Sequence, residues 1–508
     1  MPKLSTLAKD TAIYGMSSIV GRFLNYLLVP LYTYCMPKDS GDYGTSVNMY
    51  AYTALALVIL TFGMETSLFR FANKEGETPD TVFSTSLAVV GTLSAVFLAL
   101  IFGFISPLSE ALGYAAHPEY ILMMAAVTVL DAVQAIPFCY LRFQKRAVKF
   151  ASLKLLFIAF NILLNIVFFV ILKRTEVFYV FAVNLVCTAG ITFFFIPDLL
   201  HIRWKFDASL LRRMLGYSWP LLILGVAGIL NQTADKIIFP LVCDEADAKA
   251  QLGVYGACVK IAMIMAMITQ AFRFAYEPIV FASCKERDSK EYYAKGMKYF
   301  IVFTLLAFLC VMAYMNILQY MIGPEYREGL RTVPIVMAAE IMMGVYFNLS
   351  FWYKLIDKTI WGAWFSVAGC IVLVTVNVIF IPTCGYMACA WGGFAGYATA
   401  MVLSYAVGQK KNPIRYPLGS IAVYVAMTAF FFFIIQWSNS HLEPLTAMLL
   451  NTGVVMMFAA HIAYHDLPLK SILARLHRHY PQPTLPLPAC ILRPGRRTEE
   501  QPPQPQQI

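Results

Sequence analysis

The sequence predicts an all-α, polytopic transmembrane protein with about fourteen spans, and three observations predict it. Of its 508 residues, 59% are hydrophobic and 13% charged, against about 25% charged in a typical soluble domain, and the mean hydropathy is +0.65. Apolar runs long enough to cross a hydrocarbon core about 30 Å thick recur almost from end to end. Basic residues collect in alternate connecting segments. Backbone in lipid must satisfy its own hydrogen bonds, so the runs are read as helices.

The first run, 12–34, is too long for a signal-peptide core and lacks a small-residue cleavage site behind it, so it is expected to be a retained span. The runs 44–68, 82–105, 120–140, 151–172 and 177–196 follow. The stretch 198–214, DLLHIRWKFDASLLRRM, is the most polar internal segment and separates these from 216–239, 253–281, 298–321, 332–353, 360–380 and 387–407. Two further runs, 418–436 and 445–464, form an appendage. The organisation expected is a six-span half (1–197), a cytoplasmic linker (198–215), a second six-span half (216–408), spans thirteen and fourteen (409–465) and a basic cytoplasmic tail (466–508). A weak repeat supports the halves: GDYG at 41–44 and GVYG at 253–256 each open the second span of their half. In the tail, LPLKSILARLHRHY at 467–480 is amphipathic and basic, suited to the inner leaflet, and the Pro/Gln-rich 481–508 is expected to be disordered.

With the N-terminus inside, 29 of the 39 Lys and Arg residues fall in inner segments and six in outer loops. The positive-inside rule then puts both termini in the cytoplasm. The net charge of +10 is therefore a topology signal and does not indicate nucleic acid. Eleven cysteines, mostly inside apolar runs and without metal-ligand spacing, read as packing residues. Connecting segments of at most about twenty residues leave no room for a soluble catalytic domain, and there is no GxxxxGK[ST] loop. No catalytic residue, cofactor or metal is expected, and a carrier is favoured over an enzyme.

The four remaining basic residues, Arg22, Lys236, Lys260 and Arg273, lie inside spans, where a central charge costs about 2.5–3.5 kcal/mol and must face a cavity or a partner. Arg22 shares a helix face with Ser18, Asn25 and Tyr26, a plausible anion contact; an acid on a neighbouring helix is the structural alternative. Glu65 and Arg70 lie about one and a half turns apart in GMETSLFRF (63–71), suited equally to an interfacial pair or a substrate role. Asn231 aligns with Asp235, and Gln232 with Lys236. Lys260 stands alone on a Met-rich stretch, while Arg273 and Glu277 have salt-bridge spacing. Asp131 and Glu340 are acids without an obvious local cation and are candidates for proton uptake. Lys154, Asn161 and Asn165 share one face of the fifth span, read as a polar lining in preference to helix–helix glue. Substrate binding is thus assigned to Arg22, Asn25, Arg70, Lys236, Lys260 and Arg273, and coupling or gating to Glu65, Asp131, Asp235, Glu277 and Glu340.

Several segments carry a resemblance: SSIVGRFLNYLLVPLYT (17–33), GMETSLFRF (63–71), TADKIIF (233–239), LGVYGACVKI (252–261), GPEYREGLRTVPIVM (323–337) and GVYFNLSFWYKLIDKT (344–359). Together they resemble the bacterial polysaccharide biosynthesis or O-antigen flippase family, within the superfamily of multidrug, oligosaccharidyl-lipid and polysaccharide exporters, over spans one to twelve. The resemblance implies two bundles around a central cavity that opens alternately to the two sides of the bacterial inner membrane. It implies an undecaprenyl-diphosphate-linked oligosaccharide as cargo, with membrane lipids, polysaccharide polymerases and glycosyltransferases as the partners to consider. Cations on several helices would replace the hydration of the diphosphate. The alternatives are a cation-coupled multidrug or metabolite exporter of the same fold and a membrane-embedded polysaccharide polymerase or ligase.

Overall fold

A computed structural model describes residues 26–200, 204–243, 247–282, 289–355, 358 and 360–466, apart from some side chains between 274 and 289 and that of Leu355. Arg22, Asn25 and the tail segments 467–480 and 481–508 lie outside the described residues. The chain divides into two units, Met1–Val455 and Met456–Ile508. In the second, helix runs through the described residues as far as His465, with the His461 and His465 rings 4.4 Å apart.

The principal helices are α1 (Leu28–Cys35), α2 (Asp42–Thr61), α3 (Met64–Ala72), α4 (Pro79–Gly103), α5 (Pro118–Phe143), α6 (Ala147–Ile166), α7 (Val177–Phe193), α8 (Ala208–Val242), α9 (Ala248–Ala282), α10 (Ser289–Ala313), α11 (Val333–Leu349), α12 (Ile360–Cys384), α13 (Tyr386–Lys411), α14 (Leu418–His441) and α15 (Pro444–His465). Twelve described segments are long and apolar enough to cross a membrane, and the protein is a multi-pass membrane protein. The difference from the expected fourteen has two sources. Most of the first span lies outside the described residues. The twelfth, α13, is a 26-residue helix that is not among the twelve, because it spends its sequence on small and polar side chains. Those side chains serve packing: a Cβ on Gly396 would come within 2.8 Å of the Gly369 carbonyl oxygen on α12, and one on Gly369 within 2.7 Å of that of Gly396. Such small-residue crossings let membrane helices approach where apolar burial supplies no drive. The ninth span lies earlier than expected: α10 starts at Ser289 and stops at Ala313, and a short helix and a 3-10 turn carry the chain to Met321.

Helix ends follow local chemistry. Pro79 and Pro118 occupy first-turn positions, where a missing N–H costs nothing. Asp207 caps α8, its Oδ1 accepting from the Ser209 and Leu210 amides at 2.7 and 3.2 Å. These bonds hold the Asp207 carboxyl below the usual carboxylate range. Asp207→Ala is expected to speed amide exchange at Ser209 and Leu210, read by hydrogen–deuterium exchange at neutral pH.

The second expected span is two helices. Phe62 and Gly63 both take left-handed backbone, φ 51° and 68°, and turn α3 away from α2. A side chain at position 63 would also come within 3.1 Å of Leu221 Cβ on α8, so conformation and space both demand glycine. Beside it, the Ser67 and Ser218 hydroxyls meet at 2.6 Å.

The two GxYG motifs meet at one helix crossing. A Cβ on Gly44 of α2 would fall 1.7 Å from the Lys249 carbonyl oxygen and 2.9 Å from the Gly253 nitrogen of α9, and one on Gly256 would fall 2.6 Å from Val47. The motifs thus act as a matched pair of contact surfaces between α2 and α9.

Candidate functional site

Two groups of charged side chains stand apart from the apolar packing. The first is built on α8. Lys236 Nζ lies 3.0 Å from each carboxylate oxygen of Asp235 and donates to the Gln232 carbonyl at 2.9 Å. Asp235 Oδ2 also accepts from the Tyr255 hydroxyl of α9 at 2.8 Å. Lys236 is therefore paired with its own neighbour, Asp235. Lys260, one helix away, feels the Lys236 charge but, among the described residues, makes no hydrogen bond or ion pair. Glu340 on α11 also lies within electrostatic reach of Lys236.

Proline explains one edge of this group. Pro240 has no N–H to offer the Lys236 carbonyl four residues earlier. Asn48 of α2 supplies the missing donor, its Nδ2 reaching that oxygen at 2.7 Å, while its Oδ1 accepts from the Tyr114 hydroxyl at 2.8 Å. Asn48 is 1% exposed. Asn48→Ala leaves two buried groups unpaired and is expected to cost about 1–2 kcal/mol, measured as a lowered melting temperature in detergent. Asn231 ties α8 to α12 through the Ser366 carbonyl at 2.9 Å and receives the Tyr397 hydroxyl of α13 on its own carbonyl at 3.1 Å.

The second group joins α3, α5 and α6. The Lys154 ammonium lies over the Phe138 ring at 4.1 Å and acts on the carboxylates of both Asp131 and Glu65, with Arg142 acting also on Glu65. The expected Glu65–Arg70 pair is not formed: Arg70 is exposed and lies 4.1 Å over the Tyr217 ring. Lys154 is separated from its sequence companions. Asn161 and Asn165 are buried, Asn165 donating to the Asn161 carbonyl at 2.7 Å and accepting from the Tyr32 hydroxyl at 2.8 Å. These two amides are helix glue, contrary to the lining expected, since both are buried and Asn165 is held by Asn161 and by Tyr32 of α1.

Arg273 lies 4.8 Å over the Phe347 ring. The side chain of Glu277 lies outside the described residues, as do Arg22 and Asn25. Reasoning along single helices missed Arg142 and Tyr255 as members of these groups and set Lys154 with Asn161 and Asn165 instead. The available signal was a lysine among apolar residues within reach of an acid on a preceding span.

Glu65, Asp131, Lys260 and Glu340 are half-buried, and Lys154 is exposed. Among the described residues the arrangement offers two ammonium groups without a hydrogen bond or ion pair, Lys154 and Lys260, one salt-bridged pair, Asp235 with Lys236, and three carboxylates without a hydrogen bond, Glu65, Asp131 and Glu340.

This multi-pass helical fold is shared with solved structures at low sequence identity. The chain is similar to a structure described as lipid II flippase MurJ in an inward closed conformation (13% identity, 88% of this chain and 98% of that one covered, TM-score 0.71). It is also similar to an inward-facing multidrug resistance MATE family transporter of the MOP superfamily (14%, 80% and 96%, TM-score 0.62), and to the MATE multidrug transporter DinF-BH (17%, 81% and 96%, TM-score 0.57). No curated protein matches the sequence. Residues 39–330, more than half of the chain, match the family described as polysaccharide biosynthesis protein, and the chain belongs to that family.

Proposed function

We propose that this protein is a flippase that moves an undecaprenyl-diphosphate-linked oligosaccharide across the bacterial inner membrane for surface polysaccharide assembly, by alternating access and without chemical change to the cargo. The observation that carries the reading is Lys260, half-buried and without a hydrogen bond or ion pair among the described residues, in a chain of the polysaccharide biosynthesis family. A diphosphate entering a low-dielectric space loses hydration, and an uncommitted ammonium replaces it most effectively. The lipid II flippase likeness supports a lipid-linked cargo on this fold. Arg22, Asn25, Arg70 and Arg273 are assigned supporting contacts. Asp131 and Glu65, facing Lys154, and Glu340 and Asp235, facing Lys236, are assigned to coupling or gating, Glu277 with them. Both termini are assigned to the cytoplasm from the charge asymmetry.

The test is transfer in vesicles. Purified protein should move a fluorescent polyprenyl-diphosphate oligosaccharide between leaflets faster than empty vesicles do, with the glycan unaltered. Equal rates would refute the flippase, and a lengthened or transferred glycan would establish the polymerase or ligase instead.

A further inference from the structure

The segment between α10 and α11 has a role that the charged groups do not supply. Residues Pro324–Thr332 form a 3-10 helix, and its hydrogen bonds run to the other end of the described chain, the link between α1 and α2. The Gly323 amide donates to Thr33 Oγ1 at 3.0 Å, and a Cβ there would fall 1.9 Å from the Thr33 carbonyl oxygen. The Tyr326 hydroxyl donates to the Met36 carbonyl at 3.1 Å, and its ring meets Tyr43 edge-on at 5.7 Å. Glu325 accepts from the Lys38 amide at 2.8 Å, and Glu328 lies 2.9 Å from Lys38 Nζ. Arg327 donates to the Tyr34 hydroxyl at 3.1 Å, which itself donates to the Tyr320 carbonyl at 3.0 Å.

Every one of these links joins residues 33–43 to residues 320–328, nearly 300 positions apart. Beneath them lies the α2–α9 crossing at Gly44 and Gly253. On its inner side the 3-10 helix rests on α9. A Cβ on Gly329 would fall 2.9 Å from Cys258 Sγ, and the Cys258 thiol, fully buried, donates to the Tyr326 carbonyl at 3.5 Å.

We infer that the segment 323–329 is a latch: it clasps the α1–α2 link and holds this face of the protein shut, and its release is required before the interior can open outward. The links suit a reversible clasp. The Lys38–Glu328 pair has side chains 24% and 50% exposed, a setting in which an ion pair is worth little singly. The buried Tyr326 contacts add direction and register. The inference rests on the sidedness proposed above, which places the loop 322–331 outside.

Cys258 is a reporter already beneath the latch. In a chain whose other cysteines are serine, its labelling by a membrane-impermeant maleimide is compared between the parent and Glu325→Gln/Glu328→Gln, from the outer face in whole cells and from the inner face in inverted vesicles. Glu328→Gln alone serves if the double variant fails to reach parental membrane levels. The latch predicts outer-face labelling about fivefold faster in the double variant, the ratio given by roughly 1 kcal/mol of lost closing interaction. It predicts a smaller rise in the single variant. Unchanged rates from both faces overturn the latch. A rise confined to the inner face overturns its outward assignment. Failure of the cargo proposal is read separately, from glycan transfer, and leaves the labelling result intact.

Discussion

Lys260→Ala is expected to lower glycan export about tenfold or more at unchanged protein level, while Lys260→Arg keeps most of it. An ammonium hydrogen-bonded to a phosphate in an enclosed site is worth about 1.5–3 kcal/mol, and each 1.4 kcal/mol is a factor of ten. Among the described residues Lys260 has no hydrogen bond or ion pair to lose, so the alanine variant should melt like the parent. Lys236 provides the contrast. Its charge is spent on Asp235 at 3.0 Å, so Lys236→Ala strands a buried carboxylate, and its first effect should be on folding. The two variants are separated by measuring melting temperature and export together. Wild-type export in Lys260→Ala would refute the cationic site.

Gly44→Leu is expected to exclude the closed arrangement of α2 against α9 altogether. The new Cβ would sit 1.7 Å from one backbone atom and 2.9 Å from another, and backbone inside a helix cannot swing aside as a side chain can. Overpacking of a yielding core costs about 1–3 kcal/mol; an unyielding crossing should exceed that, read as a melting temperature lowered by several degrees and loss of export. Gly91→Leu on α4, where nothing lies within 4 Å of the added Cβ, is the control and should leave both unchanged. An unshifted melting temperature in Gly44→Leu would mean that α2 and α9 do not meet in the folded protein.

Hydropathy located most of the spans because lipid imposes a length and an apolar composition on each helix, independently of its neighbours. The run 120–140 became Pro118–Phe143, extended at its start by a proline that could be read as a first-turn residue. The run 387–407 is likewise one helix, α13, although packing against Gly369 gives it small residues in place of apolar bulk. The family was legible because its segments lie in these spans. The pairings were not. Helical periodicity says that Lys236 and Gln232 share a face, but Glu340 approaches Lys236 from a helix about a hundred residues away, and nothing local to Asp131 points to Lys154. Asn48 was invisible for the same reason, although Pro240 announced that some carbonyl on α8 would need a donor. Glu65 and Arg70 do not pair because, five residues apart on the one helix α3, they point to different faces, and Arg70 meets Tyr217 instead.

Challenge with cationic dyes checks the principal alternative, since only a multidrug exporter should raise resistance when this protein is expressed; the flippase predicts no change. The most direct test of the central claim is the sidedness of undecaprenyl-linked oligosaccharide in cells lacking the protein, probed with a membrane-impermeant glycan-modifying reagent. The account predicts that the repeat units accumulate facing the cytoplasm, protected from the reagent, and that the wild-type chain restores their exposure whereas Lys260→Ala does not. Normal outward exposure of those units in the deletion strain would contradict it.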